Sequence, residues 1–256
     1  MRVLLISLHF ALFVFGCGGD VKREKEERAT YHHQLAYGHF FENHNGEAAL
    51  QEVLKSLNLN PNSPEVHMLA GLIYTGRGDL LKALNHYQRA IELKQDYFEA
   101  KNNLGTVYLA LGRWDKAVEV FSDLTARDEY RTPALGFNNL GWARYKLGAL
   151  DLALRAFVTA TQLNPRLCPP HNNAGMVYLD RGDLERAERS LQRGIKQCPE
   201  YAEPYLHLGQ VYLRRAEQDK AIESWQRCRE LAGDSELGAR CFRFKEAVKQ
   251  GAKVAQ

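Results

Sequence analysis

After its first sixteen residues the chain has no apolar run near the roughly 18 residues that a membrane-spanning helix needs, so its body is expected to be water-soluble. Strong charge of either sign is also missing. Its 34 Lys and Arg stand against 31 Asp and Glu, and a net charge of +3 gives no reason to expect a nucleic-acid partner. No glycine-rich loop is arranged to cradle a phosphate, and no nucleophile motif is present. His32, His33, His39 and His44 gather near the start, but no cysteine or carboxylate completes a metal-ligating set with them. Neighbours such as His32 and His33 also point to different faces of a helix. The chain is therefore expected to use no cofactor, no metal and no small-molecule substrate, and to catalyse nothing.

Cysteine is scarce, with five in 256 residues, and the first stands apart. Met1-Arg2 gives a basic start, Val3 to Phe15 is mostly apolar, and Gly16 precedes Cys17. This is the layout of an export signal over residues 1–16, too short for a permanent span. A buried first helix with a core cysteine is the competing reading, but Gly16, Gly18 and Gly19 would end that helix abruptly. Val14-Phe15-Gly16-Cys17 resembles the bacterial lipoprotein box, with Phe15 bulkier than the residue usual there. The resemblance implies that Cys17 is lipidated and becomes the mature N-terminus. More than one acyl chain makes such anchoring stable. Gly18 after the cysteine implies the outer membrane, with the protein facing the periplasm, and "DVKREKEER" falls in a charged tether over residues 17–29.

Downstream the sequence repeats. "LAGLIYTGRGDLLKALNHYQRAIEL" is followed by "NLGTVYLALGRWDKAVEVFSDL" and by three further copies, with glycines at Gly71, Gly105, Gly141, Gly175 and Gly209. A spacing near 34, with Tyr74, Tyr108, Tyr178 and Tyr212 and with Ala83, Ala117, Ala153, Ala187 and Ala221 in fixed order, resembles the tetratricopeptide repeat. A degenerate first copy places Tyr37, Phe40 and Ala49 at the glycine, tyrosine and alanine positions. The resemblance implies an all-α, right-handed solenoid of about six helix-turn-helix repeats over residues 30–235. A capping helix and tail follow over 236–256.

Within that frame the tyrosines are expected to fill the seam between paired helices, and the alanines to face the glycines. Asp79, Asp151 and Asp183 are expected to cap the second helix of their repeats. Two extra residues near "RDEYRTP" predict a longer connection between repeats three and four. Two substitutions break the pattern: Arg144 takes the tyrosine position with Tyr145 beside it, and Ala216 takes the place of a turn glycine.

Three first helices carry an amide pair: Asn102-Asn103, Asn138-Asn139 and Asn172-Asn173. An amide both donates and accepts, so a row of Asn can hold an extended backbone without reading its side chains. The pairs resemble the asparagine ladders of other tetratricopeptide proteins. The alternative is that one Asn of each pair only bridges neighbouring helices. Leu72, Thr106, Trp142 and Met176 fall one turn further along, with Leu109, Tyr145 and Leu179 behind them. Leu109 and Leu179 are assigned to the core. Trp142, Tyr145 and Met176 join the asparagines as the expected partner-binding groove.

Removing Cys17 leaves Cys168, Cys198, Cys228 and Cys241, an even number in a compartment that permits disulfides. Number alone allows three pairings. In the repeat geometry Cys168 begins one helix and Cys198 ends its antiparallel partner, while Cys228 faces the start of the cap helix that holds Cys241. The expected bridges are Cys168 to Cys198 and Cys228 to Cys241.

A lipid-box cysteine, about six repeats, asparagine-rich first helices and this length together resemble the pilotin lipoproteins of type IV pilus systems. The resemblance implies an outer-membrane lipoprotein that binds secretin subunits and promotes their assembly into the ring through which pili pass. The alternative reading is another cell-envelope adaptor that brings peptidoglycan enzymes or other complexes together.

Overall fold

The computed structural model describes residues 17–251; residues 1–16, expected as an export signal, and the side chain of the lipidation candidate Cys17 lie outside what is described. Thirteen α-helices and one short π-helical segment make up the described chain, and no strand occurs among the described residues. They run as six pairs followed by a last helix. The pairs are α1 (Cys17–Tyr37) with α2 (Gly46–Leu59), α3 (Pro64–Gly76) with α4 (Leu80–Leu93), α5 (Phe98–Ala110) with α6 (Trp114–Thr125), and α7 (Pro133–Lys146) with α8 (Leu150–Leu163). Next come α9 (Cys168–Asp180) with α10 (Leu184–Gln197), α11 (Glu203–Arg214) with α12 (Gln218–Ala232), and the closing α13 (Glu236–Lys249).

The chain divides into two compact units, residues 1–111 and 112–256. In the first, α1 to α5 pack each on the next; in the second, α6 to α13 do the same. Within each unit the helices therefore bury their apolar stripes against their sequence neighbours, as in a solenoid.

Local chemistry explains the boundaries. Ser63 accepts from Val66 N at 3.3 Å with Pro64 as first helical residue, and Ser235 caps α13 through Gly238 N at 3.2 Å. Of the three aspartates expected to cap, only Asp183 does so with its side chain, through Arg186 N at 3.1 Å. Asp79 holds the cap position without a side-chain bond, and Asp151 lies one residue inside α8, paired with Arg181. The aspartates serve mainly as negative charges near positive helix ends.

Each turn inside a pair needs one residue in the left-handed region, seven after the repeat glycine. Gly78, Gly112, Gly148 and Gly182 supply it with φ between 68° and 77°. His44 (φ 51°) and Ala216 (φ 60°) adopt the same conformation at the corresponding positions of the first and last repeats.

The core corrects one expectation. The close neighbour of Gly71, Gly141, Gly175 and Gly209 is neither the tyrosine nor the alanine but a large residue four beyond the alanine, on the second helix. A Cβ on Gly141 would stand 2.6 Å from Phe157 Cε1, and one on Gly175 would stand 2.6 Å from Leu191 Cγ. Tyr87, Phe121, Phe157, Leu191 and Trp225 occupy this position and are all at most 1% exposed. Trp225 satisfies its indole N–H on Leu206 O at 3.0 Å. The five alanines are buried beside them, which lets the helices approach. Tyr74, Tyr108 and Tyr212 are buried, and the hydroxyl of Tyr212 donates to Glu188 Oε1 at 2.9 Å, on the helix before it.

Residues 17–29, expected as a tether, are the first half of the continuous helix α1. Charges at four-residue spacing, Lys22 with Glu26 and Arg23 with Glu27, suit an exposed helix. The helix is held at Ala29, whose carbonyl accepts from buried Ser56 Oγ at 2.7 Å. His32 Nδ1 meets Glu52 Oε2 at 2.6 Å, so this histidine packs α1 onto α2.

The longer connection between α6 and α7 spans residues 126–132, and its Tyr130 packs against Gly136. Disulfides join Cys168 to Cys198 (Cα to Cα 6.2 Å) and Cys228 to Cys241 (6.1 Å). The second staples α13 to α12, where Phe244 meets Trp225 edge-on at 5.5 Å.

Candidate partner-binding groove

In the second unit, α7 and α9 bring together Asn138, Asn139, Trp142, Tyr145, Asn172, Asn173 and Met176. The asparagines bond mainly to one another. Asn173 Nδ2 donates to Asn138 Oδ1 at 3.0 Å, Asn138 Nδ2 to Asn139 Oδ1 at 3.3 Å, and Asn172 Nδ2 to Asn173 Oδ1 at 3.3 Å.

Asn172 and Asn173 are 4% and 9% exposed, so their place in the groove is corrected. They sit in the joint between successive first helices, where a buried amide needs protein partners. Asn172 Oδ1 is buried without one. Asn138 and Asn139 remain half-buried and keep one edge open.

Trp142 and Tyr145 stack at 5.6 Å with their planes 25° apart, both half-buried against Phe157 and Val177. The hydroxyl of Tyr145 donates to Asp180 Oδ2 at 2.8 Å, and burial together with that carboxylate pushes its pKa up to about 12. Lys146 Nζ lies 4.8 Å from the centre of the Trp142 ring, a cation–π contact. Met176 is half-buried one turn beyond the amides of α9. Leu179 is core, as assigned, while Leu109 is half-buried.

The first unit carries the other pair. There Asn103 Nδ2 lies 3.8 Å from Met68 Sδ, the sulfur that stands where the next repeats have an amide. Asn102 is half-buried beside it.

The sequence reading missed Lys146, Asp180 and Arg214. They recur five residues after Gly141, Gly175 and Gly209 and edge the same face. Arg214 donates to Leu179 O at 2.6 Å. Their shared offset was a readable signal. The resulting surface has an aromatic stack, amide edges and charges of both signs, which suits a partner segment that is partly apolar and extended. Among the described residues no group of three or more His, Cys, Asp or Glu could hold a metal.

Two family models match the chain: one described as TPR repeat at residues 71–112 and 175–215, and one described as tetratricopeptide repeat at residues 102–169. The fold is similar to that of PilF from Pseudomonas aeruginosa, at TM-score 0.71 and 17% identity over 87% of this chain and 99% of that one. It is also similar to PilW, a widely conserved type IV pilus biogenesis factor, at TM-score 0.73 and 19% identity over 84% of this chain and 98% of that one. Superkiller protein 3 of Schizosaccharomyces pombe is 29% identical over 164 residues, or 60% of this chain. The match spans only 11% of that protein's own length.

Proposed function

The chain belongs to the tetratricopeptide repeat family, and we propose that it is an outer-membrane pilotin lipoprotein, facing the periplasm, that binds secretin subunits of a type IV pilus machine and promotes their assembly. The observation that carries this reading is the nearly end-to-end likeness to two pilus proteins, 98–99% of whose chains are covered. Two other features support it. Cys17 stands between the apolar stretch Val3 to Phe15 and a helical body, the place a lipid anchor would take. The face of α7 and α9 offers Trp142, Tyr145, Met176 and open amide edges to a partly apolar segment. Binding alone is sufficient for the role, because a partner that binds one state of a subunit stabilises that state by mass action.

The test is to delete the gene and follow secretin on a gel. Loss of heat-stable secretin multimers supports the proposal, and unchanged multimers turn the reading towards another envelope adaptor. Complementation with Trp142→Ala is expected to restore the protein level but not the multimers. Cys17→Ser is expected to leave the fold intact and release the protein from the membrane fraction.

A further inference from the structure

On a stripe of α9 separate from the amides, His171, Ala174 and Tyr178 form one wall of a cleft of about 290 Å³ closed by α8 and α10. Its other lip carries Arg186, Arg189 and Arg193, three guanidiniums at three- and four-residue spacing along one face of α10. We propose that this cleft is a second binding site, independent of the groove, that takes an acidic segment of a partner protein.

The polar groups of the floor are already satisfied. His171 Nε2 meets Pro165 O at 3.0 Å, and a carbonyl only accepts, so the imidazole N–H is used there. Ser190 Oγ donates to His171 O at 2.9 Å. The charged donors left for a ligand are the guanidiniums. Arg186 shares Asp183 at 3.5 Å and Arg189 shares Glu185, both in exposed pairs of the kind worth little, and Arg193 has no acidic partner among the described residues. Guanidinium forks match carboxylates in bidentate geometry.

The corresponding cleft one repeat later provides a control within the molecule. It is larger, about 550 Å³, and its helix α12 presents Lys220, Glu223, Arg227 and Glu230, with Lys220 on Glu217 and Arg227 on Glu230. Mixed sign on the lip there and single sign among the α10 residues that line this cleft mark the arginine stripe as a departure from the repeat rather than a property of it.

Shape favours a peptide over a membrane surface. Arg186 to Arg193 spans about 10 Å of helix, the length of about three residues of extended chain. Val158 and Ala174 give the cleft apolar walls that lipid headgroups on a flat bilayer would not reach, whereas an apolar residue between two acidic ones would.

The test measures fluorescence anisotropy of the labelled peptide Asp-Leu-Asp-Glu-Leu-Asp with the purified full chain at increasing salt, beside the amide peptide Asn-Leu-Asn-Gln-Leu-Asn. The acidic peptide is expected to bind, weakening as salt rises, and the amide peptide to bind at least tenfold less tightly. The double variant Arg189→Gln with Arg193→Gln is expected to lose at least tenfold in affinity with an unchanged circular dichroism melt. Lys220→Gln with Arg227→Gln, in the control cleft, is expected to change it less than twofold. No binding of the acidic peptide, or equal binding by the arginine variant, would overturn the proposal. So would capture of phosphatidylglycerol vesicles, lost in the arginine variant, without capture of the peptide. Secretin assembly is not read in this experiment, so it stands or falls apart from the pilotin reading.

Discussion

The amide of Asn173 donates to the Oδ1 of Asn138 across 3.0 Å, tying the first helix of one repeat to the first helix of the repeat before it. Asn173 also accepts from Asn172, which makes it the middle of a chain of amides in a buried joint. Asn173→Ala is expected to destabilise the protein by about 1–2 kcal/mol, because it leaves buried partners unpaired. Asn172→Leu is expected to cost less, since Asn172 Oδ1 has no partner to lose. Urea denaturation of the two variants reads the difference; the reverse order would place the joint elsewhere.

Gly141→Ala puts a methyl group 2.6 Å from the fully buried ring of Phe157. The ring has no room to retreat, so a loss of about 1–3 kcal/mol is expected from overpacking. The double variant Gly141→Ala with Phe157→Leu is expected to recover part of it, as measured by thermal unfolding.

Ala216 holds a φ of 60°, where its counterparts in four other repeats are glycine. A Cβ in the left-handed region costs about 1–2 kcal/mol, offset in part by the greater freedom of glycine in the unfolded chain. Ala216→Gly is therefore expected to raise stability by about 0.5–1 kcal/mol. An unchanged or lower midpoint would show that the last repeat relieves this strain in another way.

His86 is the clearest source of pH dependence. His67 Nε2 lies 3.0 Å from Pro61 O and so must donate, which leaves His67 Nδ1 to accept from His86 Nδ1–H at 3.0 Å. Tyr74 stacks on the His86 ring at 5.3 Å. Burial first, and the neighbouring His67 second, push the pKa of His86 down from 6.5 to about 4. The unfolded chain thus takes up this proton before the folded one does. The stabilisation is complete above pH 6.5 and declines as pH falls towards about 4, where the folded form protonates too. Because the ring is half-exposed, the loss is expected to be on the order of 1 kcal/mol. Urea midpoints between pH 7.5 and 4.5 are expected to slope less in His86→Gln.

The repeat frame was legible because it is periodic: a glycine, a tyrosine and an alanine at fixed offsets survive as a pattern even where single copies are poor. The partner of each glycine escaped that pattern. Tyr87, Phe157, Leu191 and Trp225 share a position but not a chemistry, and only packing shows that each fills the hollow beside its repeat glycine. The groove was half legible for a related reason. Residues one apart in a helix differ by about 100°, so in "NNAG" one amide cannot be told from the next until a neighbouring helix covers it.

The repeat spacing, read with the tetratricopeptide resemblance it carries, therefore determined the helical class, the number of repeats and the closeness of each cysteine pair. These properties arise within one repeat or between adjacent ones, where chain connectivity sets the distances. Tertiary structure alone decided that Asn172 and Asn173 join helices, that charged residues 17–29 continue a helix, and that three arginines of α10 line one cleft. Each of these depends on which surfaces a neighbouring helix removes from water, and packing decides that where the sequence period does not.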